Sequence, residues 1–283
     1  MSLTQQLVER YEQDGYLHLS GLLNEDEMAA IEGPYQELLS GRVPSVGKDL
    51  SDIDGKLGKP MESFSAVSVL LPGKYLGELA EDANVYVQRA KAVAAKLLGR
   101  PVEEVGLDLD RIIAKKPNRP DAEFHWHQDD LYCTMHGVEL ELPEKDLVTV
   151  CLALDDTTPE NGCISFVPGS HRGPLREHKP VFPDRCESES TGMKISKVEL
   201  GPEDAQRAVL VPIRRGDVTI HTGRTLHSSG GNKTDGWRRT YLLQFRPVSA
   251  IEFQRKAGYV KSLNFPRDVA GMVAPQHLQK VSA

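Results

Sequence analysis

The sequence is poor in the features that mark several protein classes. It has four cysteines, Cys133, Cys151, Cys163 and Cys186, with no CxxC spacing among them. That argues against a thiolate zinc site and a disulfide-stapled domain, and makes a reducing cytoplasm the expected location. No apolar run exceeds LVTVCLAL at 147–154, far below the roughly 20 residues that a membrane-spanning helix needs. Basic residues are in the minority, 34 Lys+Arg against 41 Asp+Glu, for a net charge of −7. No basic excess therefore invites nucleic acid or anionic lipid. The opening MSLTQQLVERYEQDGY carries early charges and no apolar core, so it is not expected to act as a secretory signal. GRVPSVGKD lacks the Ser or Thr after lysine that a phosphate-binding loop requires. Repeats, low-complexity tracts and linkers are missing as well.

What remains is a chain of 283 residues, 39% hydrophobic and 27% charged, with the composition of an ordinary globular protein. LTQQLVERYEQDG reads as a helix stopped by Gly15, and YLHLSGLL as a strand. NEDEMAAIEGPYQELLSG reads as a helix with Asn24 as N-cap, acids in its first turn and Gly41 near its end. Residues 76–100 give a further helical stretch. From about residue 107 the texture changes to short β-like runs such as DLVTVCLALDD, GCISFVPGSH and RRTYLLQFRPV. Strands that follow helices without alternating with them predict an α+β fold with a sandwich or barrel core. The polar, weakly periodic stretch 174–208 has the character of a lid or substrate loop.

One window concentrates chemistry. FHWHQDD at 124–130 holds two histidines and two aspartates. On a regular strand His125, His127 and Asp129 would share one face, and Phe124, Trp126 and Gln128 the other. Any two of the first three could chelate an ion, but so short a pattern is weak alone. Support lies about a hundred residues on, in GDVTIHTGRTLHSSGGNKTDGWRRTYLLQFR, which carries His221, His227 and two adjacent arginines. Two imidazoles and one carboxylate on one face of an iron leave positions open for a co-substrate and O2. An arginine just beyond can pair with the far end of a dicarboxylate.

In these residues the sequence resembles the phytanoyl-CoA dioxygenase family of non-haem Fe(II), 2-oxoglutarate-dependent oxygenases. Four segments in the same order carry the resemblance over most of the chain: YEQDGYLHLSGLLNEDEMAAI, FHWHQDD, LALDDTTPENGCISFVPGSHRG and GDVTIHTGRTLHSSGGNKTDGWRRTYLLQF. The resemblance implies a double-stranded β-helix (jelly-roll, cupin-like) core with flanking N-terminal helices. It implies a single domain over 1–283: a helical/strand part to about 106, a jelly-roll core to about 250, and a tail over 251–283. It places the metal ligands at His127, Asp129 and His227. Arg238, eleven positions after the distal histidine, falls where the family holds the C5 carboxylate of 2-oxoglutarate, and Ser229 falls at the same end. Where some members place an aromatic on the central strand, this chain has Cys151. The implied reaction uses Fe(II), 2-oxoglutarate and O2, releases succinate and CO2, and oxidises a C–H bond. Halogenating relatives lack a carboxylate at the position of Asp129, so its presence implies hydroxylation or a related oxidation.

The other polar residues receive plainer readings. His125, His221 and His171 are expected to support the site or the backbone, and Asp130 to serve a turn. His18, His136, His178 and His277 are expected on the surface or in packing, and Trp126 and Trp237 to pack beside the site. Arg238 and Arg239 must face opposite ways on one strand, so only one reaches the pocket. Two other functions compete. A cupin-like metal isomerase would use His125 and His127, but the Glu that usually follows is replaced by Asp130 and Leu131. A catalytically inactive binding protein on the same scaffold would not need an intact triad and arginine. The substrate is expected to be a small molecule, whether natural-product intermediate, small metabolite or acyl-CoA.

Overall fold

Thr4 and Gly15 bracket the first helix, α1 (Gln5–Asp14): the Thr4 side chain accepts from the Leu7 amide, and Gly15 ends the helix at φ +79°. The positive φ is why glycine stands there. The structure, a computed structural model, describes residues 3–56, 58–133, 146–184, 195–256 and 260–264. After β1 (Tyr16–Leu19) comes α2 (Glu25–Leu39), opened by a full capping box between Asn24 and Glu27. Next are β2 (Leu50–Asp52), β3 (Ala66–Leu70), the one-turn α3 (Pro72–Tyr75) and α4 (Val85–Leu98). The helix expected over 76–100 begins only at Val85, because the Asn84 side chain caps it by accepting from the Tyr86 amide.

The rest is mainly β: β4 (Val105–Lys115), β5 (Phe124–His127), β6 (Val148–Ala153), β7 (Ile164–Phe166), β8 (Lys179–Pro180) and β9 (Ser196–Lys197). The short α5 (Pro202–Arg207) leads into β10 (Val209–Val211), β11 (Val218–Thr222), β12 (His227–Ser229) and β13 (Arg238–Pro247), and α6 (Val248–Lys256) follows. β1, β11, β6, β13, β4, β3 and β2 form, in that order, a seven-stranded sheet, and β10, β7, β12 and β5 a four-stranded one. Every pairing in both is antiparallel. The α+β expectation holds. The sheet also reaches back to β2 and β3, in a stretch whose short apolar run gave no clear strand signal. Of the 174–208 segment, 185–194 lies outside the described residues. No described helix is long and apolar enough to cross a membrane.

The two faces of the large sheet are both buried but differ in chemistry. Val148, Val150 and Leu152 on β6, Val218 and Ile220 on β11, and Tyr241, Leu243 and Phe245 on β13 join one apolar core with Met28, Tyr35 and Leu38 of α2 and Tyr86, Ala90 and Ala94 of α4. The alternating positions Thr149, Cys151, Thr219, His221, Arg238, Thr240 and Gln244 turn to the other side and are buried too. Two tyrosines fix the helical layer to the strands. Tyr35 Oη lies 3.0 Å from the Ile113 carbonyl and 3.1 Å from that of Thr240. Tyr86 Oη lies 3.0 Å from the carbonyls of both Val150 and Tyr241. Each hydroxyl donates between two neighbouring strands and sets the height of β13, the strand that begins at Arg238.

Removing one such hydroxyl leaves packing nearly intact. Tyr86→Phe is expected to cost about 1 kcal/mol, read as a lower urea midpoint with unchanged slope. An unchanged midpoint would show that packing alone holds α4.

Candidate metal centre

β5 and β12 are neighbours in the small sheet, and their register brings His127 opposite His227. The next pair is Ser229 with Phe124, so two steps on β12 face three on β5: a β-bulge. The bulge overturns the expected alternation. Phe124 turns to the same side as His127, and its ring lies 5.6 Å from both Lys115 Nζ and Arg111 Cζ. Trp126 points away and packs against the Val167, Val198 and Leu226 cluster. β5 also stops at His127, and Asp129 opens a 3-10 turn over Asp129–Cys133. The aspartate thus reaches the two imidazoles from a turn, outside the strand alternation assumed for it.

Nitrogens of His127 and His227 and a carboxylate oxygen of Asp129 lie within 4.8 Å of one another, and all three residues are buried. Asp129 Oδ1 is 3.6 Å from Nε2 of each histidine. Each imidazole is oriented by the carbonyl two residues before it: His127 Nδ1 is 2.6 Å from the His125 carbonyl, and His227 Nδ1 is 2.9 Å from that of Thr225. Donation from Nδ1–H puts the lone pair on Nε2, the atom turned to Asp129. Burial first, then the neighbouring His127 and His221, hold the His227 imidazole far below its usual pKa, so it is neutral near pH 7.

The second oxygen of Asp129 is committed elsewhere. Oδ2 accepts from Thr149 Oγ1 at 2.7 Å and from Gln244 Nε2 at 3.1 Å, and lies 3.3 Å from His221 Nε2. These come from β6, β13 and β11, so the inner face of the large sheet holds a residue next to the small sheet. Burial works against the Asp129 carboxylate, and the Thr149 and Gln244 donors on Oδ2 offset that cost. The fixed Oδ2 leaves Oδ1 facing the two Nε2 atoms. Two imidazoles and one carboxylate oxygen converging this way fit a divalent metal of intermediate softness.

Arg238 and Arg239 separate as adjacent strand residues must. Arg239 faces the helices, bound by Asp155 through Nε at 2.9 Å and Nη2 at 2.6 Å, and by Glu32 at 2.5 Å. Arg238 turns inward, is 4% exposed, and makes no ion pair among the described residues. Among the described residues its Nε has no hydrogen-bond partner. The same holds for Thr219 Oγ1 and Thr240 Oγ1, which line with Arg238 and Cys151 a cavity of about 10 Å³. Burial pulls the Arg238 pKa down from its usual value. A buried guanidinium with unused donors fits an anionic ligand. Ser229 is 5% exposed, and its Oγ accepts from Lys115 Nζ at 2.7 Å.

His125 is not drawn into the cluster; its Nδ1 lies 3.4 Å from Glu123. Asp130 meets Arg224 at 3.5 Å and donates its amide to the Gly223 carbonyl. His18 binds Asp217 at 2.9 Å, His171 lies 3.1 Å from the Glu12 carbonyl, and His178 Nε2 accepts from the Gln128 amide at 3.1 Å. Trp237 is 40% exposed, which corrects the packing role expected for it: the turn 230–237 carries it past the sheet edge. His136 and His277 lie outside the described residues. The sequence reading missed Thr149, Gln244 and Lys115. Their signal was a polar residue inside an otherwise apolar run, as in LVTVCLAL and YLLQFR.

The family model described as phytanoyl-CoA dioxygenase matches residues 11–240. The ectoine dioxygenase of Bordetella bronchiseptica is 31% identical over 171 residues, covering 60% of this chain and 50% of that protein. The ectoine dioxygenase of Sphingopyxis alaskensis is 27% identical over 250 residues, covering 84% and 74%. Against the Bordetella relative the chain thus spans half the length. EvdO2 from Micromonospora carbonacea var. aurantiaca superposes with a TM-score of 0.68 at 25% identity, over 87% of this chain and 92% of that one.

The clamp on Oδ2 makes a measurable demand. Thr149→Val, close in shape but without the hydroxyl, is expected to weaken Co(II) binding on the order of tenfold, followed by the metal's visible absorption. Unchanged affinity in a folded variant would show that Thr149 does not hold the carboxylate in place.

Proposed function

Because the chain belongs to the phytanoyl-CoA dioxygenase family, we propose that it is an Fe(II)- and 2-oxoglutarate-dependent dioxygenase acting on a small molecule. It hydroxylates, or otherwise oxidises, an unactivated C–H bond with release of succinate and CO2. The observation that carries this reading is the convergence of His127, Asp129 and His227 beside a buried Arg238 that no described carboxylate pairs with. Two imidazoles and a carboxylate that could hold a metal, with an unpaired guanidinium on the inner face of the large sheet, are the donor types that a co-substrate with a distal carboxylate needs. EvdO2 has been solved in complex with 2-oxoglutarate, and the ectoine dioxygenases are named for a small metabolite; both support the reading. The two antiparallel sheets, with the site between their facing sides, support a double-stranded β-helix core. Residues 1–283 are read as one dioxygenase domain.

His127 and His227 would hold the iron through Nε2, and Asp129 through Oδ1. Bound iron, 2-oxoglutarate and O2 supply the oxidising power that no side chain has. The chain's own residues do the rest. The Thr149, Gln244 and His221 contacts keep Asp129 to one oxygen, so the carboxylate occupies a single position. Arg238 holds the distal carboxylate of the co-substrate, with Ser229 at the same end, and so fixes its orientation. A carboxylate at 129 occupies the place that chloride takes in halogenating relatives, which favours oxygen chemistry.

Under anaerobic conditions, Fe(II) with 2-oxoglutarate is expected to give a visible metal-to-ligand charge-transfer band, and in air the protein forms succinate. Absence of both contradicts the proposal. Asp129→Ala loses substrate oxidation, while His125→Ala keeps the band. The opposite pattern would replace His127–Asp129–His227 by a different ligand set.

A further inference from the structure

Arg238 is not the only buried cation on the inner face of the large sheet. Lys115 is its partner across the β4–β13 ladder, on the same inner face, and is 0% exposed. Among the described residues Lys115 makes no ion pair; it donates to the Ser229 hydroxyl at 2.7 Å, to the Ser229 carbonyl at 3.4 Å and to the Gly230 carbonyl. An ammonium has three N–H groups and no lone pair. All three are therefore spent on Ser229, the last residue of β12, and on Gly230 just beyond it.

The bond to Ser229 Oγ constrains more than position. Because that oxygen accepts from Lys115, the hydroxyl hydrogen cannot point back at the ammonium and must be donated elsewhere. Arg238, the ladder partner of Lys115, carries its unused donors on the same inner face. The corner therefore presents donors and positive charge together, with Lys115 underneath and the Phe124 ring 5.6 Å from its Nζ. Burial first, and then the Arg238 charge, pull the Lys115 pKa well below its usual value. An anion in the corner offsets both effects. A methionine would fill the same space without the buried charge but would take the donor away from the Ser229 hydroxyl and the Ser229 and Gly230 carbonyls, so the lysine is there for its N–H groups and not for packing.

We propose that Lys115 is a positioning residue for the co-substrate: it fixes the Ser229 hydroxyl as a donor to the distal carboxylate of 2-oxoglutarate, alongside Arg238. This rests on the dioxygenase reading above, which assigns Arg238 and Ser229 to that carboxylate but gives Lys115 no part.

The test is an anaerobic titration of the Fe(II)-loaded protein with 2-oxoglutarate, following the charge-transfer band. Wild type, Lys115→Met, Ser229→Ala and the double variant are compared. Each single change is expected to raise the Kd for 2-oxoglutarate about tenfold. The double variant is expected to be no worse than the weaker single one, because both remove the same donor. Co(II) affinity, measured without 2-oxoglutarate, stays at the wild-type value. An unchanged Kd in folded Lys115→Met, or losses that add in the double variant, overturns the proposal. If Lys115→Met does not fold, Lys115→Gln is titrated instead: its side chain is too short to hold Ser229, so the same rise is expected and an unchanged Kd overturns. A wild-type protein without the band defeats the dioxygenase reading itself, and is thereby distinguished from a normal band that the substitutions leave untouched.

Discussion

The arrangement of the site depends on how one carboxylate is held. Asp129 sits in the turn that leaves β5, where the small sheet ends and backbone alternation no longer dictates direction. Its orientation comes from across the cavity, through Thr149, Gln244 and His221 on three strands of the large sheet. A buried carboxylate without such partners would be costly and would tend to take up a proton. With Oδ2 satisfied, the charge is retained and Oδ1 meets the two Nε2 atoms. The relative placement of the sheets and the geometry of the donor set are thus one constraint.

The large sheet can provide those contacts because helices cover its other face. In β6, Val148, Val150 and Leu152 enter the apolar core while Thr149 and Cys151 face the cavity. β13 does the same, with Tyr241 and Leu243 outward to the helices and Arg238, Thr240 and Gln244 inward. Gln244 contacts Asp129, and Arg238 pairs with Lys115 at the start of β13. Tyr35 and Tyr86, donating between strand carbonyls, tie this spacing to the helical layer.

Much of this was legible because it rests on local rules. Asn24 and Glu27 form the capping box that their spacing suggests, and Gly15 ends α1 in the left-handed region. The His-x-Asp window and the distal histidine were visible as residue types, as was the need for two adjacent arginines to face apart. Asp155 and Glu32 account for Arg239, and the inner face holds Arg238. What escaped depends on non-local geometry. The bulge that brings Phe124 to the side of His127 is a property of the β5–β12 pairing, and no residue in FHWHQDD encodes it alone. Thr149, Gln244 and Lys115 are single polar residues in apolar runs, whose meaning appears only when strands distant in sequence are laid side by side. Trp237 looked like a packing residue by type, yet the Gly and Asn turn before β13 carries it outward.

The most direct test of this account is an anaerobic crystal structure with Fe(II) and 2-oxoglutarate bound. It should show the metal on His127 Nε2, His227 Nε2 and Asp129 Oδ1, with Asp129 Oδ2 still bonded to Thr149 and Gln244. The distal carboxylate of 2-oxoglutarate should lie against Arg238. A metal bound by both Asp129 oxygens or by His125, or a co-substrate whose distal carboxylate avoids Arg238, would contradict it.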